Sequence, residues 1–531
     1  MPEKLTYRIV LRPVQTELIA PAGTPLRDLL FAQGVEFPCG GQGRCRGCRV
    51  HVLEGQVAVN DAQRERLSAE ELAQGWRLAC QCALEDDLVI ELRQWDAAIL
   101  VDETPFAFEP RAGLGVAVDL GTTTLVAQLL DLSTGRVLAV RTALNSQARF
   151  GADVMSRVQF GVAKDGAQQL RDLIRRQIGS LIEQLIFAAQ VPEGEITDIA
   201  VVGNTVMHHL FCGLDVEPLS RCPFESEQLG LQTFRARDLG WKLSGEGRVR
   251  FLPCLGGFVG SDILAGILAT NLSERDDLNG LVDLGTNGEI VIGNRQRLLC
   301  ASTAAGPAFE GARISMGMRA ATGAISEVKV EDHAINCRVL GNVPPQGLCG
   351  SGLVDAVAAG LELGRIQPSG RFADGAGAWT LAAPVVLTQS DIRELQLAKG
   401  AIAAGIRMLM DRFGTSAGDL KKLYLAGAFG NYINRASAKR IGLINFPAEK
   451  VEAAGNTALL GAKLALFSPE GEDGSFARLR ERTEHVALNA DQSFQETFVE
   501  EMAFPNIGAR VWGLGAGETP DPNAQNPAPR T

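Results

Sequence analysis

Residues 116–124 read VAVDLGTTT, and residues 281–289 read LVDLGTNGE. Each is an apolar run closed by Asp-Leu-Gly-Thr. Such a run reads as a strand, and the Gly-Thr pair after it as a tight hairpin. One D-x-G-T carries little weight, because Asp–Gly turns are common. Two of them, each on an apolar strand, point to a duplicated α/β domain with two hairpins facing across a cleft. Asp119 suits a hydrated Mg²⁺. Gly121 lets backbone amides approach phosphate oxygens, and threonine hydroxyls can donate to them. Gly285 and Thr286 repeat the arrangement.

Outward from this pair, residues 167–189 carry Leu170, Leu173, Ile174, Ile178, Leu181, Ile182 and Leu185 on one helical face. Residues 423–430 (LYLAGAFG) read as a strand and a Gly turn, with Gly427, Phe429 and Gly430 as candidate contacts to an adenosine. Residues 348–355 (LCGSGLVD) read as a Gly turn opening a helix. Gly350 and Ser351 are its candidate phosphate or nucleotide contacts, although a simple helix start explains it equally well. Val201 to Thr205 and Ala454 to Thr457 both combine Gly with Asn-Thr, and are candidate crossovers between lobes. There is no G-x4-G-K-[ST], and no strand followed by G-x-G-x-x-G and a helix. Nicotinamide and flavin readings are weakened accordingly.

Residues 1–93 have a different texture. Two strands, Leu5 to Leu11 and Glu17 to Ala20, precede a helix expected from Thr24 and Pro25 to Gly34. A Gly-rich loop spans Cys39 to Cys48, and two more strands follow, Arg49 to Leu53 and Asp87 to Leu92. That order suits a small β-grasp unit. Its cysteines are spaced Cys39-x5-Cys45-x2-Cys48, with Cys80 further on. Four thiolates can hold two irons and two sulfides. Zinc sites usually show the paired short spacing twice, and here it occurs once. The reading is a 2Fe–2S cluster on Cys39, Cys45, Cys48 and Cys80, with Cys82 either a substitute ligand or a free thiol.

Taken jointly, these elements are similar to the superfamily of acetate and sugar kinases, heat-shock chaperone ATPases and actin. The whole chain resembles the reductive activators of corrinoid-dependent methyltransferase systems. Those join an N-terminal 2Fe–2S ferredoxin domain to that ATPase fold. The resemblance rests on PCGGQGRCRGC with Cys80, DLGTTT, DLGTNGE, GLCGSGLVDA and LAGAFGNY, and covers about residues 1–512. It implies a multidomain chain of α/β and α+β class: a ferredoxin-like domain at 1–93, a linker at 94–112, a two-lobed ATPase at 113–512 and a disordered tail at 513–531. ATP and Mg²⁺ would be its further cofactors. A corrinoid-containing methyl-transfer protein would be the partner, an upstream electron donor would feed it, and the ATPase would dimerise. The activity implied is return of Co(II) to Co(I). By the same resemblance, Asp119 and Asp283 would position metal and water, and Thr122, Thr123, Thr286 and Asn287 would contact phosphates. Glu289 is a candidate general base behind Asp283. Two rivals stay open: an ATP-gated electron donor to another low-potential enzyme, and a nucleotide-responsive redox sensor that does not hydrolyse ATP.

Composition narrows the partners. The net charge of −11 disfavours a nucleic-acid surface and gives no polybasic membrane anchor. No run of about 18 apolar residues appears, so no transmembrane helix is expected. Eleven cysteines with no export signal suggest a reducing cytosol. His208 and His209 could ligate a base or the cobalt, but read better as a helix-surface pair. Cys212, Cys222, Cys254, Cys300, Cys337 and Cys349 read as buried small apolar residues. Arg313, Met316 and Met318 sit in a Gly-rich stretch read as a nucleotide or dimer-interface loop.

Overall fold

The computed structural model describes residues 6–12, 16–31, 48–91, 108–151, 153–192, 195–243, 247–311, 313–320, 323–340, 344–430, 433–467, 474–488 and 491–506. Cys39, Cys45, Gly34, most of the proposed linker and the tail at 513–531 lie outside them.

The N-terminal unit is a five-stranded sheet. Its strands are β1 (Thr6–Arg12), β2 (Thr16–Pro21), β3 (Arg49–Glu54), β4 (Trp76–Leu78) and β5 (Leu88–Glu91), in the order β2-β1-β5-β3-β4. β1 and β5 are parallel and the other pairs antiparallel. Alternate residues Ile9 and Leu11, and Leu88 and Ile90, point inward onto Leu26, Leu30 and Leu78. The helix begins at Leu26, one residue later than expected, because Pro25 bridges to Ala83 and Thr24 donates its hydroxyl to Pro21. Two short helices, Asp61–Arg66 and Ala69–Ala73, were not expected. The second is set by a capping box between Ser68 and Glu71.

The rest is built on two six-stranded sheets that share a five-strand core and add a sixth strand at opposite edges. The first comprises β6 (Leu114–Leu120), β7 (Thr124–Asp131), β8 (Val137–Leu144), β9 (Ile196–Gly203), β10 (Gln232–Arg235) and β11 (Arg248–Phe251). The second lobe holds β12 (Asn279–Leu284), β13 (Gly288–Gly293), β14 (Leu298–Thr303), β15 (Ala324–Glu331), β16 (Ala334–Val339), β17 (Gly347–Leu348), β18 (Ala378–Ala382), β19 (Val385–Thr388), β20 (Lys422–Ala426), β21 (Val451–Gly455) and β22 (Thr483–His485). The sheet orders are β10-β11-β9-β6-β7-β8 and β21-β20-β12-β13-β14-β22, the added strand being β10 beyond β11 in the first and β22 beyond β14 in the second. In each, an antiparallel meander (β6-β7-β8, β12-β13-β14) is extended by two strands parallel to its first (β9 and β11, β20 and β21). The duplication expected from the two D-L-G-T hairpins is therefore present. β6 and β12 read as unbroken apolar runs because both of their faces are covered.

The helix expected at 167–189 spans Gly166–Ala189 and lays Leu170, Ile174, Ile178, Ile182 and Leu185 on the first sheet. The two lobes meet through the helices Ser261–Ala269 and Thr457–Leu466. Ile263, Leu264, Leu459 and Leu466 share one core with Ala117, Ala200 and Val202 of the first sheet and Leu281 and Val291 of the second. The crossover expected at Ala454 to Thr457 fits this seam. Val201 to Thr205 does not: it stays in the first lobe, where Asn204 caps the helix Thr205–Cys212. The first crossover is instead the helix Ser261–Ala269.

The linker reading of 94–112 needs a correction at its end. Arg111 donates its backbone amide to Leu132, and the Phe108 ring lies 4.6 Å from that of Phe467. Residues 108–112 thus belong to the body. Among the described residues, no helix is long and apolar enough to cross a membrane.

Candidate active site

The two hairpins meet. The Thr123 and Thr286 hydroxyl oxygens are 3.1 Å apart, and Thr286 donates its single proton to Glu310 at 2.6 Å, so Thr123 donates to Thr286. Asn145 supports the first hairpin, its side chain donating to Gly121 O and its backbone to Thr123 O. Asn204 donates to the Thr122 hydroxyl at 2.8 Å. Thr122 is thereby an acceptor toward the protein, with its own proton free to point elsewhere. Asn287 and Gly285 form the tip of the second turn, Gly285 N–H donating to Asn287 O.

Below the hairpins four carboxylates converge. Asp119 ends β6 and Asp283 ends β12. Glu289, on β13, lies directly opposite Asp283 in the antiparallel register, where like charges repel. The fourth, Asp262, was not singled out from the sequence. It sits in the first turn of the helix Ser261–Ala269. Gly260 lets that helix end close in, since a Cβ there would stand 2.1 Å from Gly203 O. The available signal was GGFVGSD at 256–262, a Gly-rich turn that delivers a carboxylate to a helix start.

Burial raises all four acids, and repulsion between carboxylates adds to it for Asp283, Asp262 and Glu289. Asp119 is pushed up to about 6, with the 2.8 Å hydrogen bond from Asn456 opposing the rise. Asp283 is pushed up to about 7 by burial and then by Asp119. Asp262 rises through burial and the charges of Asp283 and Asp119, and Glu289 through burial and the charges of Asp262 and Asp283. Hard oxygen donors in such number fit Mg²⁺, which takes few protein ligands and keeps several waters.

Gly427 makes the close approach expected of it, but toward protein. Its φ is +82°, and a Cβ would stand 2.5 Å from Asp283 Oδ1. Gly427→Ala is expected to cost about 1–2 kcal/mol in backbone strain and to displace Asp283. Urea unfolding and ATP turnover check this, and turnover should fall further than stability explains. Phe429 stacks on Phe309 at 4.6 Å, with planes 20° apart, and Gly430 packs on Leu425. Gly350 opens the helix Gly350–Glu362 against Phe309 O. Ser351 gives its proton to Ser326 O, which commits that hydroxyl to the fold.

In the N-terminal unit, Cys48 and Cys80 are neighbours: Ala79 N–H donates to Cys48 O at 3.1 Å. The Gln81 amide is 3.5 Å from Cys80 Sγ, a hydrogen bond of the kind that tunes a ligating thiolate. This donor pair fits half of a four-thiolate cluster site; Cys39 and Cys45 lie outside the described residues. Cys82 points the other way, donating to Leu78 O, and burial pushes its thiol up to about 12.

Two readings are corrected. His208 and His209 are fully buried rather than on the surface. Their rings bond Gly230 O, Thr205 O and Ser226 Oγ. Burial takes His208 down to about 3, with the His209 charge adding to it. Between that value and about 6.5 the unfolded chain binds the proton and the folded chain does not. Stability should therefore fall as pH drops below about 6.5, by roughly 1 kcal/mol from this group at pH 5.5. Urea midpoints at pH 7.5 and 5.5 test it: His208→Phe should show the shallower loss. Among the six cysteines, Cys254, Cys300 and Cys349 are buried as expected, whereas Cys222 is exposed and Cys212 and Cys337 are partly so.

Fold and sites together define an iron–sulfur ATPase of the acetate and sugar kinase, chaperone and actin type. Residues 9–85 match the 2Fe-2S iron-sulfur cluster binding domain, 114–275 the RACo middle region, and 277–513 the C-terminal domain of RACo, the ASKHA domain. The corrinoid activation enzyme RamQ of Eubacterium limosum is 31% identical over 94% of this chain and 99% of its own. The Co(II) methylated amine-specific corrinoid protein reductase of Methanosarcina barkeri is 26% identical over 73% of this chain and 77% of its own. A solved reductive activator for corrinoid, iron-sulfur protein superposes with a TM-score of 0.68 at 29% identity, covering 94% of this chain and 98% of its own. The chain belongs to the family of corrinoid reductive activators.

Proposed function

We propose that this protein uses ATP to return the Co(II) corrinoid of a methyl-transfer protein to Co(I), drawing single electrons through its N-terminal domain. The observation that carries the reading is the pairing, in one chain, of Cys48 and Cys80, joined by the Ala79 N–H bond to Cys48 O, with a cleft in which two D-L-G-T hairpins face each other at 3.1 Å. The relatives' printed names supply the substrate class. When bound, the 2Fe–2S cluster supplies one electron at a time at low potential and Mg²⁺ neutralises phosphate charge.

The chain's own residues do the rest. Cys39, Cys45, Cys48 and Cys80 hold the cluster, with Gln81 donating toward Cys80 Sγ. Thr122 and Asn287, with the amides around Gly121 and Gly285, take the phosphates, and Thr123 and Thr286 join them by exchanging their bonds to Thr286 and Glu310 for phosphate oxygens. Asp119 and Asp283 orient the hydrated cation and the attacking water. Asp262 and Glu289 share the protons of that set, and either can accept one from the water. Gly350, Ser351, Gly427, Phe429 and Gly430 border the nucleoside side, with Ser351 holding the turn in place through its bond to Ser326 O. We also propose domain bounds of 1–93 and 108–512, a linker at 94–107, a disordered tail at 513–531, dimerisation through the ATPase, a separate upstream electron donor and a cytoplasmic location.

The test is anaerobic spectroscopy of a corrinoid protein in the Co(II) state with the reduced activator. Co(I) should accumulate with ATP and Mg²⁺ and far less without them. Equal reduction in both arms would sink the coupling.

A further inference from the structure

The helix Thr457–Leu466 has unusual attachments at its two ends. At its start Asn456 does two things. Its Oδ1 accepts from Leu459 N–H at 2.8 Å, capping the helix, and its Nδ2 donates to Asp119 Oδ2 at 2.8 Å. The helix therefore begins on a carboxylate of the nucleotide cleft. At its other end the last carbonyls carry partial negative charge, and two arginines satisfy them. Arg250 donates to Ala465 O at 2.8 Å, and Arg111 donates to Leu466 O. Arg250 is itself fixed by the buried Asp198, which it grips through two bonds of 3.1 and 2.8 Å. Next in sequence, Phe467 packs against Phe108.

Phe108 and Arg111 are the first and fourth described residues after the segment that joins the N-terminal unit to the body. Ten residues of helix span about 15 Å. Beside it, β6 runs from Leu114, next to Arg111, to Leu120, next to Asp119. Strand and helix thus form two sides of a closed frame. One short side is the Asn456–Asp119 bond, and the other is Arg111 on Leu466 O. The strand is locked in a sheet. The helix lies on the seam between lobes, packed against strands of both sheets.

We infer that the helix Thr457–Leu466 transmits the nucleotide state of the cleft to the root of the tether that carries the electron-transfer domain, with Asn456 as its positioning residue at the cleft and Arg111 as its anchor at the tether. The inference rests on the proposed ATP-dependent function and adds where its regulation acts. Asp119 Oδ2 accepts from Asn456, and a nucleotide would bring phosphate and cation charge to the same oxygen. Two arrangements at Asn456 then become two positions of the helix end under Arg111. Differential affinity for these two positions is all that coupling requires.

The experiment is hydrogen exchange on the full-length protein, without nucleotide and with a non-hydrolysable ATP analogue and Mg²⁺, following peptides that cover 108–113. In the wild type, exchange there should change about fivefold or more between the two states. In Arg111→Ala, ATP turnover and analogue affinity should stay within about twofold, while the exchange response disappears; Arg111→Lys should restore part of it. Asn456→Ala should remove the response from the opposite end, although residue 456 is remote from 108–113 in sequence. A merely structural role for Asn456 would leave that response in place. Indifference of 108–113 to nucleotide in the wild type, or a full response in Arg111→Ala, overturns the relay. No corrinoid is present in this measurement. Loss of ATP dependence in the wild-type Co(II) reduction would instead strike the proposed function.

Discussion

Asp119→Asn is expected to slow ATP turnover about a hundred- to a thousandfold and, at the same time, to raise the melting temperature of the nucleotide-free protein at pH 8. The two effects have one source. Asp119 stands among Asp262, Asp283 and Glu289, and its charge pushes up both Asp283 and Asp262. Removing that charge relaxes a repulsion the empty cleft carries at high pH. It also removes an oxygen suited to a hydrated cation. An asparagine keeps the shape and can keep a bond to Asn456 through its carbonyl oxygen, so loss of activity would not be loss of fold. Phosphate release and a thermal melt on one preparation measure both quantities. Turnover within tenfold of wild type would remove Asp119 from the chemistry. A lower melting temperature would mean the quartet is not under repulsion.

Cys80→Ser should abolish Co(II) reduction and the visible absorption of the cluster, while ATP binding persists. Cys82→Ser should leave both near wild type. The contrast rests on direction. Cys80 lies beside Cys48 and accepts toward its sulfur from Gln81. Cys82 is turned inward onto Leu78 O with a thiol held protonated by burial, and thiolates, not thiols, bind iron. Absorbance and EPR of the reduced variants decide it. A cluster that survives in Cys80→Ser but is lost in Cys82→Ser would exchange the two roles.

The repeated hairpin was legible because its chemistry is local: Asp, Gly and Thr at fixed spacing can be read without knowing what packs on them. The apolar stripe of Gly166–Ala189 was legible for the same reason. Asp262 was not, because its role depends on where a crossover helix from a distant part of the chain begins. Nor was the bond from Asn456 to Asp119, which joins residues on different lobes. His208 and His209 misled because adjacent polar residues usually lie outside, and here a core formed with Phe251 and Phe211 encloses them. The capping box at Ser68 was readable and was passed over. Residues 108–112 looked like linker because their partners, Leu132 and Phe467, belong to other parts of the chain.

The common five-strand core of the two sheets, β11-β9-β6-β7-β8 and β21-β20-β12-β13-β14, bears on ancestry and on handedness of function. A single ancestral unit, paired with its own copy about a two-fold axis, would have presented identical hairpins and identical connector helices to a shared ligand. Fusion into one chain freed each copy to change alone. The connector after β11 now begins Gly260-Ser261-Asp262 and brings an acid to the floor of the cleft. The one after β21 begins Gly455-Asn456-Thr457 and brings an amide. A nucleoside triphosphate has a head and a tail, and a symmetric cradle would accept it either way round. The divergence of Asp262 from Asn456 breaks that degeneracy and gives the cleft a single polarity.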